Sequence, residues 1–564
     1  MQSERKEIMD IMKEFQARKF GMFIHWGAYA VLGGRYKGEV MTEIGEWAQS
    51  YFRIPNEEYA QIAATFNPEK FDADEWMRKA AAAGIKYIVF TSKHHDGFCM
   101  YDTAYSDYSI VKHTKFGRDP LKELQHACEK YGIKLGIYYS QYLDWHEEHG
   151  GDPGDSHKKN VAGMSWGNDW DFPHTDQKDF EIFFRNKVVP QVTELLTNYG
   201  TVWEFWFDTP IAQEAKYSRE LRDLVKRLQP QCLINSRIGH GCQDFIGLGD
   251  NWMRHGKMDL VIEAAGTLNR TWGFKFDDHD WLKPEQVINT LVSLTENNAN
   301  YLMNVGPMPD GTFTPETDHI LRQIASWIED KKDAIHGSEP SPFPQILPDA
   351  YSTVKGNRLN LFLRNEMESM QLAGINSKIT AGSVPFKQDD SGNVTLDLKG
   401  VSGFLPLVTL DFDGKPEISQ TLTVQNGSMH LFMESGIYTP DTPPWVLYDG
   451  TAGDWKKPEG AIRWEVEIPA AGTFDVLLKV QTGYLAPWSG NRVMALALDE
   501  TQEVSSDLNN GEDTPHAYCT IRTVKLGTFQ IAEPGRKLLT LRTLSIGDDA
   551  AADLRMTSLI LVRQ

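Results

Sequence analysis

At 564 residues the chain is too long for one ordinary domain, and its 41% hydrophobic and 11% aromatic content exclude a disordered one. A formal net charge of −21, with no long run of Lys or Arg to offset it, excludes nucleic acid as a partner and attraction to anionic membranes. No apolar run reaches the ~18 residues of a membrane span, so membrane insertion is excluded as well.

The opening "MQSERKEIMD" lacks the apolar stretch of a signal peptide, which says little about compartment if the chain is a trimmed mature form. A first strand is predicted in "KFGMFIHWG". Three helix–glycine–strand units then follow. In "DADEWMRKAAAAGIKYIVFTSKHH" a helix capped by Asp72 and Asp74 ends at Gly84 and gives way to a β-branched, aromatic strand. "PLKELQHACEKYGIKLGIYYS" repeats the scheme from Pro120 through Gly132, and "QVTELLTNYGTVWEFWFD" repeats it through Gly200. Eight residues past each glycine lie Ser92, Ser140 and Asp208, all at the carboxyl ends of their strands. With "CLINSR", "DLVIEA" and "NYLMNVGP" as further strands, the segment predicts a (β/α)8-like barrel, an α/β fold whose chemistry gathers at the strand exits. The doubly wound alternative lacks its Gly-rich phosphate loop.

Proline-rich "GSEPSPFPQILPDAY" and "TPDTPP" read as linkers. They divide the chain into a barrel over 1–338 and two further modules over 346–439 and 446–564. Both modules show short alternating runs, such as "RLNLFLRN" and "AIRWEVEIPAAGTFDVLLKVQTG", and are predicted β-sandwiches. The five cysteines are scattered without a CxxC pair and read as inert thiols.

The predicted strand exits collect His25, Trp26, His94, His95, Tyr139, Asp208, Asn235, Arg237, Glu263 and Asn304. Adjacent His94 and His95 point to opposite faces if the strand continues through them, which argues against a shared metal. "DDHD" at 277–280 reads as a solvated loop. Two carboxylates, Asp208 and Glu263, remain among Trp203, Trp206, Trp252 and Trp272. Aromatic faces with His, Asn and Arg donors suit a carbohydrate, and paired carboxylates suit glycosidic hydrolysis. The structural alternative is that Asp208 pairs with Arg237 and Glu263 caps a helix.

Eight ordered blocks, "KFGMFIHWGAYAV", "GEWAQSY", "TSKHHDGFCMYDTAYSDYSIV", "LGIYYSQYLDWH", "EFWFDTP", "NSRIG", "IEAAGTLNRTWGF" and "NNANYLMNVGPMPDGT", resemble the α-L-fucosidases of glycoside hydrolase family 29 over about residues 15–335. The resemblance implies a retaining exo-α-L-fucosidase that needs no metal or organic cofactor and acts on a fucosylated oligosaccharide or glycoconjugate. Asp208 matches the nucleophile. His25, Glu46, Trp47, His94, His95, Tyr139 and Trp206 match positions lining the sugar pocket, with Arg254 and Trp272 as further contacts. Glu263 is expected to be the acid/base, and Glu46 is its rival. Other substrates of the same machinery, an α-L-galactoside or a β-galactoside, stay open, as does glycan binding without turnover. "TP" after Asp208 and "NSRIG" depart from the commoner family pattern beside the pocket. The last module resembles carbohydrate-binding modules of bacterial glycosidases. Tyr484 and Trp488 in it are candidates for a second sugar platform, for closing the main pocket, or for plain loop packing. A periplasmic or secreted location is implied by resemblance alone.

Overall fold

The computed structural model describes residues 2–151, 154, 159, 163–257, 259–483, 486–488, 490–514, 519–547 and 554–564, with side chains from residue 9 onward. They form two compact units, one of Met1–Asn251, Val261–Ile288 and Asn300–Lys332, the other of Trp252–Leu260, Asn289–Ala299 and Asp333–Gln564.

The first unit is built on eight strands: β1 (Phe20–Ile24), β2 (Tyr87–Lys93), β3 (Lys134–Ser140), β4 (Val202–Asp208), β5 (Leu233–Ile234), β6 (Ile246–Gly247), β7 (Ile262–Thr267) and β8 (Ala299–Val305). They run in the order β5-β4-β3-β2-β1-β8-β7-β6 with parallel ladders. This is the expected (β/α)8-like barrel. β2 and β4 are buried along their whole length, as parallel strands covered on both faces must be.

The repeated units fold as read. Helix α1 (Ala73–Ala82) is capped by Asp72, whose carboxylate accepts from the Glu75 amide. Helix α2 (Pro120–Tyr131) is capped by Asp119 and stops at Gly132, whose φ of 65° is the left-handed end a glycine adopts without strain. Helix α3 (Val189–Asn198) hands over through Gly200 to β4.

No ladder joins β5 to β6 in the sheet order. The gap is bridged by Asp244 and Phe245 amides donating to the Ile234 carbonyl, and by the Ser236 hydroxyl, which bonds both the amide and the carbonyl of Gly247. Asn235 extends β5 with its side chain: its amide exchanges two 2.9 Å bonds with the backbone of Phe207.

The second unit carries two sandwiches. One pairs a four-stranded with a three-stranded sheet over a core running from Phe343 to Phe412. The other packs two larger sheets, and here the expected boundary moves. Strands Leu422–Thr423, Ser428–Phe432 and Ile437–Tyr438 pair with Ala461–Ile468 and Leu554–Arg563, and Leu422, Met429, Leu431 and Met433 enter the last core. The last sandwich therefore begins near residue 422, and "TPDTPP" lies inside it. Proline marks a local break in pairing, which is not the same as the end of a core. The five cysteines are free thiols.

Candidate active site

Period-2 alternation on β4 sends Glu204, Trp206 and Asp208 into the barrel as three successive levels, with the rings of Phe205 and Phe207 in tilted contact at 4.7 Å outside the row. Asp208 is the last residue of the strand and 6% exposed. Its Oδ2 accepts from the Tyr138 hydroxyl at 2.8 Å, and its Oδ1 accepts from Arg237 Nη1 at 2.9 Å and the Thr209 amide at 2.8 Å. His95 Nε2 stands 3.7 Å from Oδ2. Burial works to raise the Asp208 pKa, yet the Arg237 charge and these hydrogen bonds outweigh it and hold the carboxyl below its ordinary range. The structural alternative read in the sequence, an Asp208–Arg237 pair, is thus present and is part of what keeps the carboxylate charged.

Thr209 sits at φ 55°, a left-handed position that a β-branched residue rarely adopts. Its own amide and hydroxyl both bond Asp208, which offsets the strain. The "TP" turn is therefore a local lock on the Asp208 carboxylate.

The other nitrogen of the Arg237 fork, Nη2, donates to Asp250. The Arg237 guanidinium also lies over Trp206, 4.9 Å from the ring centroid. Asp250 follows β6, and its side chain is 30% exposed. It was not among the residues read from the sequence. The signal was there in "FIGLGD", but a two-residue strand has no periodicity to reveal its exit.

Three histidines line the same region. His94 and His95 follow β2 in a turn, so their rings come to 4.0 Å centroid separation, against the expectation of opposite faces. The strand has already ended there, and its alternation no longer applies. Asn304 donates its amide to the Trp272 carbonyl, so its oxygen accepts from His25 Nδ1 at 2.7 Å. The Ser140 hydroxyl donates to Leu143 and so accepts from His95 Nδ1 at 2.8 Å. Both rings, with the proton on Nδ1, present Nε2 as an acceptor. Burial lowers the His25 pKa to about 3 and that of His95 to about 4, and puts His94 well below the usual range. All three are neutral at neutral pH. Trp47 meets His95 edge-on, and Trp272 meets His25 at 5.1 Å, adding the aromatic wall.

Glu46, in a 3-10 turn of Gly45–Trp47, is 1% exposed and accepts from the Gly273 amide and the Thr271 hydroxyl. Burial pushes its pKa up to about 7 against those donors.

Two expectations need correction. Tyr139 does not face this region: its hydroxyl bonds Gln191 of α3, and Tyr138 is the inward residue that bonds Asp208. The alternation of β3 decides between them. Glu263 is not at a strand exit either. It is the second residue of β7, 1% exposed, and it accepts from the hydroxyl of Tyr87, the first residue of β2, and from the Trp206 indole. Burial raises its pKa, and burial together with the Glu263 charge raises that of Glu204 well above the carboxylate range. Arg254 belongs to the second unit, where its guanidinium donates to the Gly256 and Leu260 carbonyls. Within 277–280, Asp277 pairs with Arg35 and Asp280 with Arg270. Tyr484 lies outside the described residues, and Trp488 donates its indole to Asn509 under the Arg522 guanidinium.

What the barrel site offers is one charged, oriented carboxylate, a second carboxylate open to solvent on the same arginine, neutral imidazole acceptors and a tryptophan wall. A family model described as Alpha-L-fucosidase matches residues 1–333. Plasma alpha-L-fucosidase of Homo sapiens is 26% identical over 432 residues, 70% of this chain and 86% of that protein. The crystal structure of alpha-L-fucosidase from Vibrio sp. strain EJY3 is 25% identical and covers 98% of each chain at a TM-score of 0.85. A variant of AlfC, an alpha-L-fucosidase from Lactobacillus casei, solved in complex with Fuca(1,6)GlcNAc, is 42% identical over 57% of this chain and 98% of that one, with a TM-score of 0.54.

Proposed function

This chain belongs to the α-L-fucosidase family of glycoside hydrolases, and from that premise we propose that it removes terminal α-L-fucose from glycans with retention, through a covalent fucosyl-enzyme on Asp208. Asp208 attacks the anomeric carbon as the glycosidic C–O bond breaks, and the leaving oxygen takes a proton from an acid residue. That residue, now a base, then takes a proton from water, whose oxygen displaces Asp208 from the same carbon.

The observation that carries this reading is the shared guanidinium. Two carboxylates held on the two terminal nitrogens of Arg237 are brought close to each other, as a retaining pair, with its separation of roughly 5–5.5 Å, requires. On that ground Asp250, rather than Glu263 or Glu46, is the acid/base in this proposal. Asp250 is exposed enough to exchange protons with solvent, whereas Glu263 is enclosed between Tyr87 and Trp206 inside the barrel. Glu46 is engaged by Thr271 and Gly273, with no bond to Asp208 among the described residues.

His25, His94, His95, Trp47, Trp206 and Trp272 would hold the sugar, the imidazoles taking its hydroxyl protons and the indoles its C–H face. The disaccharide bound by the Lactobacillus casei relative supports a fucose on N-acetylglucosamine as a substrate to test first. The test is release of nitrophenol from the aryl α-L-fucoside, beside the α-L-galactoside and β-galactoside. Preference for the fucoside, with a loss on the order of 10³-fold or more in Asp208→Ala, supports the reading. Undiminished activity in that variant overturns it.

A further inference from the structure

The last sandwich holds a cavity of about 610 Å³ with no role in the reaction above. It is lined by Thr439, Arg463, Glu500, Leu538, Thr540 and Arg542, among others, and its ten lining residues include no aromatic side chain. The volume falls in the usual range for ligand sites.

Its origin is legible in the strands. In Gly535–Ile546, Leu539 and Leu541 enter the core, so Thr540 between them faces the other way. In Ala461–Ile468, Ile462 and Trp464 enter the core, so Arg463 faces outward and is directly opposite Thr540 in register. On its other side Thr540 faces Ala497, too short to fill the outer face. Arg542 stands one outward position along, paired with Glu500 at 3.4 Å and with Glu503.

Two observations within this cavity point to a ligand. The Thr540 hydroxyl is buried with no hydrogen-bond partner, although the residue is only 3% exposed. A buried hydroxyl left unpaired is uncommon in a folded protein. Arg463 is exposed and has no ion-pair partner among the described residues, in a protein whose net charge is −21. Its neighbour Arg542 is already neutralised by two carboxylates.

We propose that this cavity binds a sugar bearing a carboxylate, a uronic acid residue of a glycan chain. The carboxylate takes the fork of Arg463, a ring hydroxyl bonds Thr540 Oγ1, and Glu500 accepts from a second hydroxyl. The lack of an aromatic platform disfavours a neutral ring held by stacking, and the charges of Arg463, Glu500 and Arg542 disfavour an apolar ligand. The site is independent of the Asp208 chemistry and stands or falls apart from it.

The test is calorimetric titration of the full chain with methyl β-D-glucuronide, methyl β-D-glucoside and sodium sulfate. The glucuronide binds, and the neutral glucoside and the sulfate bind at least about tenfold more weakly. Arg463→Ala and Thr540→Val each weaken the glucuronide, and Arg463→Lys, which keeps the charge but loses the fork, recovers part of the affinity. Hydrolysis of the aryl fucoside is unchanged in all three, and their denaturant melts overlay that of the unsubstituted chain, which shows that the barrel and the sandwich both fold. No heat with the glucuronide, equal affinity in Arg463→Ala, or equal affinity for the glucoside overturns the proposal. Sulfate binding as tightly as the glucuronide reduces the cavity to a general anion site and overturns it too.

Discussion

Asp208 and Asp250 accept from the two terminal nitrogens of one guanidinium, that of Arg237, and so are tied to each other through a rigid plane. One carboxylate ends β4 and the other follows β6, two strands apart in the chain and on opposite sides of the unpaired seam. The arginine couples the position of each to that of the other.

Removing each carboxylate separates their roles. Asp250→Gly lowers kcat on a fucosylated N-acetylglucosamine by about 10²–10⁴-fold, and less on a nitrophenyl fucoside, whose leaving group needs little protonation. Azide rescues this variant with retained configuration and rescues Asp208→Gly with inverted configuration. NMR of the fucosyl azides checks the assignment, and retained product from the Glu263→Gln variant alone would move the acid/base role there.

Arg237→Lys keeps a positive charge but not the fork, and kcat drops by roughly 10²-fold. Asp208 then loses the fork's hydrogen bond, one of the contributions that offset its burial, so its pKa rises. The acidic limb of the kcat/KM profile shifts to higher pH, which a pH–rate series on wild type and variant measures.

Tyr138→Phe and Tyr139→Phe form a matched pair on adjacent positions. The first removes a donor to Asp208 and lowers kcat about tenfold. The second removes a bond to Gln191, costs stability of about 1 kcal/mol and leaves kcat within roughly twofold. Steady-state kinetics with denaturant melts distinguish the two.

Glu46 gives a pH dependence of stability opposite to that of a salt-bridged carboxylate. Its folded pKa of about 7 is above the ordinary 4.5, so between these values the folded state binds more protons than the unfolded one, and stability falls as pH rises. The span corresponds to about 3 kcal/mol. Glu46→Gln flattens the difference in unfolding free energy between pH 5 and pH 8, measured by denaturant titration.

Much of this was legible. Gly84, Gly132 and Gly200 each close a helix ahead of a strand, and that regularity alone puts Ser140 and Asp208 at strand exits. Where regularity stopped, reading stopped. Asp250 follows a strand of two residues, and His94 and His95 lie past the last alternating position of β2. Tyr138 and Tyr139 look alike in sequence, and only the phase of β3 tells them apart. Glu263 sits among apolar neighbours as Asp208 does, but six residues of strand put it near the entry end rather than the exit. The edge of the last sandwich was misjudged because strands of two to five residues, Leu422–Thr423 and Ser428–Phe432, leave too short a pattern to outweigh a cluster of prolines.

The seam between β5 and β6 has a consequence for descent. A strand held by a ladder cannot gain or lose a residue without breaking register, but a gap held by one serine and two backbone amides can. Residues 235–245, which carry Arg237 and lead into the strand before Asp250, are therefore the stretch where insertions disturb the barrel least and the Asp208–Arg237–Asp250 spacing most. Divergence of leaving-group preference among lineages of this fold should concentrate there, while the wall of imidazoles and indoles stays still.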